Sequence, residues 1–347
     1  MKRFVRILLI ALVALATLWS CERRELEYGS VSVNLRLRIK LNIKVNGQFQ
    51  ELPEPEMMRV MFFDPTTYDL VTESYMPATG GRISLPPGKY KFICYNFDTE
   101  ATLLRNDRNY YSIEAYTNEV SNAMRSSMLN AIRYGLSATK ADEDEDSDRA
   151  WDLALQHLMD TPIIYEPDHL FVSHQDIEVL NIAQDQTIEA DAETIIETWK
   201  IAVRIKNEQY MASARALLTG QIASNFIGFP IEEGKTDTDV TLMFDMKAAS
   251  DADENDMVVG TFNTFGKNPS VESRLWLTII IKTVGGDTVE WHRDITDEFF
   301  TEEAYEDQTI YIEEEIDIPE PTPNPGGNGG FQPGVDEWDV ENIPISI

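Results

Sequence analysis

The 347-residue chain carries 60 Asp and Glu residues against 29 Lys and Arg residues, a formal net charge of −31. Such an acidic chain, without a clustered basic footprint, is not expected to bind nucleic acid or to adsorb broadly to anionic surfaces. Its two cysteines cannot supply a disulfide framework, so packing alone must hold the fold together. The length is sufficient for two domains of ordinary size.

Residues 1–20 have the layout of an export signal. A positively charged start is followed by the apolar run from Ile7 to Leu18. That run is shorter than the roughly 20 apolar residues of a membrane-spanning helix, which favours a signal peptide. No later segment is apolar enough to span a bilayer.

Cys21 is predicted to carry a lipid anchor. It follows Leu18, Trp19 and Ser20, an arrangement that resembles a bacterial lipobox, although Trp19 is bulkier than the usual residue at its position. The cysteine of a lipobox becomes the acylated first residue of the mature protein, and several acyl chains hold a protein at a membrane. The alternatives are an ordinary signal peptide with an incidental cysteine and an uncleaved anchor.

The mature chain opens with a long alternating segment, Ser30–Gly47. Apolar residues occupy every second position of SVSVNLRLRIKLNIKVNG, which predicts one long β-strand with an apolar and a basic face. We expect Arg36, Arg38, Lys40 and Lys44 to face solvent, close to acidic residues. Alternatively, these cations face anionic lipid headgroups near the anchor.

The first half of the chain continues as strands and then changes character. Strands are predicted at Glu56–Pro65 and across Arg82–Phe97, where Pro-Pro-Gly marks a turn between two of them. Residues 100–160 break this rhythm, because apolar residues recur at every fourth position of a helix-like segment. The acidic block Ala141–Asp148 is predicted to be an exposed loop. One or two helical turns follow and stop at Pro162.

A second β-rich unit is predicted from about Ala190. Glu193–Lys206 is predicted as one strand, and the β-rich runs around Gly285-Gly286-Asp287 as a hairpin. Gln308–Ile318 is predicted as the last strand. Many short strands with intervening turns favour antiparallel sandwiches over a parallel sheet. The Pro- and Gly-rich segment after Ile318 is predicted to be a linker to a C-terminal tail, together residues 319–347.

The sequence contains no motif that predicts catalysis. It lacks a nucleophile elbow, a P-loop and a dinucleotide fingerprint, and no pair of its four histidines belongs to a zinc-site spacing. Asp251–Met257 alternates carboxylates, but Asp256 stands where a calcium loop requires Gly. Cys94 lies in an apolar strand pattern and is predicted to be a buried, unreactive thiol. We therefore expect a protein that is not an enzyme and that has no metal or cofactor.

Aromatic residues offer one possible binding surface. Tyr110, Tyr111, Tyr116, Trp151 and Trp199 could form a platform for sugars. The alternative is that several of them belong to the hydrophobic core, because sandwiches need large apolar residues.

Five short segments carry a family resemblance. They begin with CERREL at Cys21–Leu26 and continue, in chain order, as PPGKYKFICYNF, PDHLFVS, LLTGQIAS (a strand followed by a Gly turn) and GGFQPGVDEWDVENIPI. In this order they resemble an uncharacterised family of Bacteroidales lipoproteins allied to the fimbrillin-associated anchor proteins of minor fimbriae. The resemblance spans nearly the whole mature chain.

The resemblance implies two tandem transthyretin-like Greek-key β-sandwich domains, residues 29–188 and 190–318, with a helical insertion at about 100–160 in the first. It implies lipid anchoring in the outer membrane at the cell surface, and a role as fimbria-like anchor, assembly component or minor subunit. Partners would be fimbrillin-like subunits bound by strand pairing at sheet edges. The opening strand and the C-terminal tail are the segments expected to pair. The alternative function is a surface glycan-binding lipoprotein of a nutrient-uptake system.

Overall fold

The computed structural model describes residues 33–42, 55–137, 145–182, 186–250, 256–268 and 274–321. The predicted signal peptide, Cys21 and the tail beyond Pro321 lie outside these ranges. The chain is mostly β, as predicted, and its sheets are curled. Among the described residues, no helix has the length and hydropathy needed to cross a bilayer.

The secondary structure of the described residues comprises 19 strands and five α-helices. In chain order the strands are β1 (Val33–Asn42), β2 (Met57–Phe63), β3 (Leu70–Pro77), β4 (Gly81–Leu85), β5 (Gly88–Asn96), β6 (Leu103–Arg105), β7 (Glu114–Tyr116), β8 (Leu136–Ser137), β9 (Ile163–Tyr165), β10 (Phe171–Val179), β11 (Gln186–Thr194), β12 (Glu197–Lys206), β13 (Met211–Ile222), β14 (Ser224–Phe226), β15 (Asp239–Ser250), β16 (Asp256–Thr264), β17 (Trp276–Thr283), β18 (Thr288–Asp294) and β19 (Thr309–Asp317). The helices are α1 (Asn122–Tyr134), α2 (Glu145–Asp160), α3 (Ile231–Gly234), α4 (Thr296–Phe299) and α5 (Glu302–Asp307).

The first large sheet has seven strands in the order β3-β2-β5-β10-β11-β1-β4. Its neighbouring strands β2 and β5 are mostly apolar, which suits strands whose two faces are largely buried. Phe62 and Phe92 pack on one face. Met61 and Ile93 pack on the other, against residues that follow β6 and β13. The predicted strand at Glu56–Pro65 and the predicted Pro-Pro-Gly turn are both confirmed, as β2 and the β4–β5 connection.

The opening segment forms strand β1 within residues 33–42; the rest of Ser30–Gly47 lies outside the described residues. β1 pairs with β11 in parallel and with β4 in antiparallel register. Arg36 and Arg38 are exposed, and the Arg38 guanidinium lies 3.9 Å from the carboxylate of Glu189 on β11. The register also places Lys40 beside Asp191. This arrangement favours the interpretation that the basic face lies toward solvent, close to acidic residues of β11.

The second large sheet has the order β19-β12-β16-β15-β13-β17-β18-β8, with β9 paired to β15. Strand β15 pairs with β13 through its first half and with β16 through its second half, so it belongs to both parts of the sheet. Trp199, Phe244, Phe262 and Trp291 bury their rings in one core that these parts share. The predicted hairpin around Gly285 is confirmed as β17–β18.

Helix α1 confirms the predicted helix, and Ser121 caps it by accepting a hydrogen bond from the Met124 N–H. The prediction of an exposed loop across Ala141–Asp148 is wrong for its second half, because α2 begins at Glu145. Acidic residues in a first helical turn interact favourably with the helix dipole, so the same charges that predict a loop also suit a helix start. Residues 141–144 lie outside the described part of the chain.

The helices lie between strands β5 and β10 of the first sheet in sequence but pack on the second sheet. Met128 of α1 and Leu158 of α2 share an apolar cluster with Leu217, Met243 and Ile280, which lie on β13, β15 and β17. The helical segment is thus a cover for the nine-stranded sheet. Its position in space could not be inferred from its position in the chain.

The chain passes from the first sheet to the second at Ile195 and Ile196. Both residues are buried, and the single strand predicted for Glu193–Lys206 is instead divided between β11 and β12. His169 lies beside this junction, with its two ring nitrogens each 3.0 Å from a threonine hydroxyl, one of Thr194 and one of Thr198. His169 of the PDHLFVS segment therefore connects β11 and β12 at their junction through hydrogen bonds to a threonine of each strand.

The LLTGQIAS segment predicted a strand that is followed by a turn at Gly220, and this prediction is wrong. Gly220 lies inside β13 with a φ of 72°, where the register with β15 shifts between Leu218 and Gln221. A Cβ atom at this position would lie 2.8 Å from Leu275 Cδ2. Both the backbone conformation and the close approach explain why this bulge contains Gly.

Glu166 lies in the segment between β9 and β10, and its carboxyl group is in an environment that disfavours the charged form. Burial raises its pKa to about 7, and the nearby carboxylates of Asp245 and Asp168 act in the same direction. The hydrogen bond that Glu166 accepts from the Asn263 N–H, at 3.2 Å, opposes this rise. Because the folded state binds this proton more tightly than the unfolded state does, stability is lost as the pH rises through the range between the two pKa values.

We expect Glu166→Gln to stabilise the protein above about pH 7 by about 2 kcal/mol and to have little effect below about pH 4.5. The amide oxygen still accepts the bond from Asn263, while the charge that burial disfavours is gone. Urea unfolding at about pH 4.5 and pH 8 measures the difference. Glu178→Gln, at an exposed position of β10, is the control; an equal gain in both variants at the higher pH contradicts the assignment.

Candidate functional site

The ends of the two large sheets are the places where another chain could add a strand. Among the described residues, β3 and β4 end the first sheet, and β19 and β8 end the second. An edge strand presents unpaired N–H and C=O groups to solvent. The opening strand β1, expected to be a pairing segment, has a neighbour on both sides over Leu35–Leu37, whereas its residues 38–42 pair with β11 alone.

Three of these four edges are poor sites for a partner strand. The outward residues of β19 include Glu313, Glu315 and Asp317, all exposed, and such charges discourage strand addition. Strand β8 has two residues. Strand β4 has five residues and runs directly into Pro86 and Pro87.

Strand β3 is the long edge that lacks such protection. It has eight residues, and its one acidic residue, Glu73, is bound to Arg59 of the neighbouring strand. The backbone of residues 108–110 covers the start of this edge, where Leu70 N–H donates to Arg108 C=O at 2.9 Å. Within the described residues the edge is therefore open from Val71 to Met76.

An exposed apolar surface adjoins this open edge. Its members are large apolar side chains on β3 or at the adjacent ends of β2 and β5; we call Met57, Val71, Tyr75 and Phe97 the edge patch. Tyr75 is 47% exposed and Phe97 is 52% exposed, and their ring centroids lie 4.9 Å apart in an edge-to-face arrangement. The paired Tyr75 and Phe97 rings are the centre of this exposed apolar surface, and exposed apolar surfaces can mark interaction sites.

A buried charge network holds β3 in place beneath the edge patch. Arg59 on β2 is 8% exposed. Its guanidinium donates to Glu73 on β3 at 2.9 Å, to Asp107 at 2.7 Å and to the Tyr95 hydroxyl on β5 at 2.7 Å. It also lies 5.8 Å from the centre of the Tyr75 ring. The network thus connects three strands and the loop that covers the start of β3.

The positive charge of Arg59 persists over the physiological pH range. Burial opposes the charge on Arg59, but its bonds to Glu73, Tyr95 and Asp107 together raise the pKa of the guanidinium above its ordinary value. Burial also raises the pKa of the Tyr95 hydroxyl to about 12. Arg59 therefore keeps its charge and Tyr95 its proton throughout that range, so β3 lies beside a permanent hydrogen-bond donor on β2.

The aromatic residues proposed as a sugar platform are dispersed. Tyr110 and Trp199 are buried. Trp151 stacks on the His292 ring at 3.5 Å, and Tyr116 lies under the Arg105 guanidinium at 4.8 Å. Of the five, Tyr111 lies partly exposed beside a cleft. The five residues do not form one flat surface.

Cys94 and two of the histidines considered above for catalysis or metal binding make contacts that serve the fold. Cys94 is buried, as predicted, and burial raises the pKa of its thiol to about 12. His157 lies 2.7 Å from Asp239, and His292 lies 3.2 Å from Glu290. In the part of the chain that the structure describes, no group of three or more His, Cys, Asp or Glu residues is arranged to hold a metal ion. Cys21 lies outside that part.

Sequence reasoning missed β3 as an element and therefore missed the edge patch. Polar residues occupy the middle of Leu70–Pro77, so the segment lacks the apolar density of β2 or β5. The available signal was weak: Val71, Glu73 and Tyr75 alternate on the outer face. Whether a strand lies at the edge of a sheet depends on the order in which the strands pair, and no local sequence pattern predicts that order.

Comparisons with known proteins identify a family model that matches the chain and a similar protein from Bacteroides ovatus. The family described as "Domain of unknown function (DUF5119)" matches residues 20–245. A protein of Bacteroides ovatus named "Putative fimbrium anchoring subunit Fim4B" is 24% identical over 372 aligned residues, which cover 98% of this chain and 97% of that protein.

Two solved structures provide a comparison of folds. A crystal structure described as a "putative adhesin" from Bacteroides ovatus superposes with a TM-score of 0.56 at 18% identity, covering 87% of this chain and 98% of the other. This likeness concerns the fold alone. The fimbrial anchor protein Mfa2 from Porphyromonas gingivalis gives a TM-score of 0.43 at 11% identity, with 81% and 88% of the two chains covered, too low to carry an argument.

We expect Arg59→Ala to destabilise the protein by about 2 kcal/mol, because Glu73, Asp107 and Tyr95 lose their shared donor in a largely buried position. Urea unfolding measures the change. Arg38→Ala removes an arginine that is exposed beside Glu189 and should cost less than about 0.5 kcal/mol. Equal losses in the two variants would show that burial of the Arg59 network does not contribute.

Proposed function

The chain belongs to the DUF5119 family, and from that premise we propose that it is a non-catalytic lipoprotein of the cell envelope that acts as a fimbria-like anchor, assembly component or minor subunit. The support is its end-to-end likeness to a protein named as a fimbrium anchoring subunit. The glycan-binding lipoprotein of a nutrient-uptake system has no comparable support among these relatives.

The proposed anchor is lipid on Cys21, in the outer membrane and at the cell surface. The positively charged start, the short apolar run and the lipobox-like residues before Cys21 support it. Several acyl chains on one cysteine bind a membrane far more strongly than one chain does. The folded part would be tethered through the charged residues that precede β1.

The proposed partners are fimbrillin-like subunits, which would add a strand to the open edge of β3. The observation that carries this proposal is the contrast between the edges: β19 is lined with exposed acids, whereas β3 is open beside the edge patch. In strand addition, main-chain hydrogen bonds provide affinity and side-chain contacts provide specificity. The edge patch would supply those contacts through Tyr75 and Phe97.

The tail after the glycine linker is the second proposed pairing segment, as a strand given to a partner rather than an edge that receives one. Its residues beyond Pro321 lie outside the described part of the chain. Deletion of residues 320–347 tests it separately. If the tail takes part, recovery of a fimbrillin-like partner should fall although the β3 edge is intact.

We further propose that the two large sheets correspond to tandem transthyretin-like Greek-key domains, with limits near residues 29–188 and 190–318. The separate apolar cores of the sheets support two units. The division of strands β11 and β12 at Ile195 supports a limit a few residues later than the sequence indicated.

We expect the double variant Val71→Lys, Phe97→Lys to lose its fimbrillin-like partner in pull-downs from membranes analysed by mass spectrometry. Charges beside an edge disfavour strand addition, and both side chains are about half exposed. Tyr311→Lys, on the acidic edge of β19, is the matched control because it adds a lysine to an exposed edge position. Partner recovery unchanged in the double variant would contradict binding at β3.

We expect Cys21→Ser to abolish labelling by a radioactive fatty acid and to release the protein from the membrane fraction. The reason is that serine cannot form the thioether through which a lipobox cysteine is lipidated. Membrane fractionation and labelling of whole cells measure both effects. Cys94→Ser, at the buried cysteine, should leave labelling unchanged; continued membrane attachment of the Cys21 variant would favour an uncleaved anchor.

A further inference from the structure

A second surface feature lies apart from the edge patch, on the outer face of the first sheet. A cleft of about 750 Å³ opens between strands β5 and β10 on one side and the segment after β14 on the other. Lys91, His174 and Asp176 line the sheet side, and Tyr111, Phe229 and Glu233 line much of the opposite side. This cleft is separate from every residue assigned above to strand pairing.

The aromatic wall of the cleft offers apolar ring faces that the fold does not fully cover. Tyr111 and Phe229 are both partly exposed. Their ring centroids lie 5.0 Å apart with the planes inclined at 43°, so the two rings contact each other and form an angled aromatic surface. Tyr68 and Tyr110 support Tyr111 edge-on at 4.8 and 4.9 Å. The angled surface is therefore supported from behind.

The sheet side of the cleft presents a donor and an acceptor side by side. The Lys91 ammonium lies 2.9 Å from a carboxylate oxygen of Asp176, and also 4.9 Å from the centre of the Tyr110 ring. The Asp176 side chain is 76% exposed, so most of its acceptor capacity faces solvent. Glu233 adds a further exposed carboxylate at the rim.

His174 adds a neutral polar group to the same wall. Burial lowers the pKa of its imidazole, and the positive charge of the neighbouring Lys91 lowers it further. The ring is therefore uncharged at neutral pH. A neutral imidazole has one donor and one acceptor nitrogen. Among the described residues, no hydrogen bond to the His174 ring is present, so both nitrogens are available to a molecule in the cleft.

Charge excludes several classes of ligand. An anionic ligand would meet Asp176 and Glu233 on a protein of net charge −31. A cation would meet the Lys91 ammonium, which lies 4.9 Å from the centre of the Tyr110 ring. A purely apolar ligand would leave the polar wall without hydrogen-bond partners, which is costly. A neutral ligand with an apolar face and several hydroxyl groups remains.

We propose that this cleft binds one neutral sugar unit of a glycan. The apolar face of the sugar ring would pack against the partly exposed surface of Tyr111 and Phe229. Adjacent hydroxyl groups would donate to Asp176 and accept from Lys91, whose polar atoms are spaced as neighbouring hydroxyls are. Pockets that combine aromatic walls with a few converging polar groups are typical of small-molecule binding sites. The inference does not depend on the strand-pairing function.

The test uses the full chain purified in detergent, first on an array of neutral, sialylated and sulfated glycans. The strongest neutral glycan is then titrated by isothermal calorimetry against the wild type and two variants. We expect Phe229→Ala and Asp176→Asn each to weaken binding by about tenfold or more. Both positions have solvent access, and thermal unfolding checks that each variant is folded.

Tyr134→Ala, which removes an aromatic side chain exposed on α1, is the control and should bind as the wild type does. Binding of neutral glycans that both cleft variants weaken, and the control does not, supports the proposal. Three results would overturn it: no neutral glycan binding at millimolar concentration, preference for the acidic glycans, or equal binding by all variants. Displacement of the sugar by an unrelated extended peptide at similar affinity would instead assign the cleft to a protein partner.

Discussion

The burial of strands β2 and β5 on both faces is the constraint on which the rest of the first sheet depends. One face of each strand contributes to the interior of the curled sheet, and the other contributes to a core shared with segments that follow β6 and β13. Strands β2 and β5 therefore meet little solvent, and the sheet ends at β3 beside β2 and at β4 on the far side. The Arg59 network lies at one of those ends and connects β2 to β3, so the outermost strand is fixed to the most buried part of the molecule.

Local patterns in the sequence predicted the elements that depend on local interactions. Helix α1, the β17–β18 hairpin and the burial of Cys94 follow from helical spacing, a Gly-Gly-Asp turn and apolar context. The mostly β class followed from the same patterns. The start of α2 did not, because acidic residues are common both in loops and in first helical turns.

Non-local features were not predictable in the same way. Strands β4 and β5 flank the Pro-Pro-Gly turn but do not pair with each other, because β4 pairs with β1 and β5 with β2 and β10. Sheet order decides which strand is at an edge, and hence whether Val71 and Tyr75 face solvent or a neighbour. The cleft has the same origin, since Lys91, Tyr111 and Phe229 meet only when three distant segments pack together.

The packing of α1 and α2 on the nine-stranded sheet also constrains the order in which the protein can fold. Met128 and Leu158 need Leu217, Met243 and Ile280 for their apolar contacts, and those residues are synthesised much later. Strands β10 and β11, which complete the first sheet, follow the helices in the chain. The first sheet therefore cannot be completed before β11 is synthesised, and the helices cannot complete their packing before β17 is synthesised. Such long-range dependence slows folding and lengthens the time during which unpaired strands are exposed to aggregation or to chaperones.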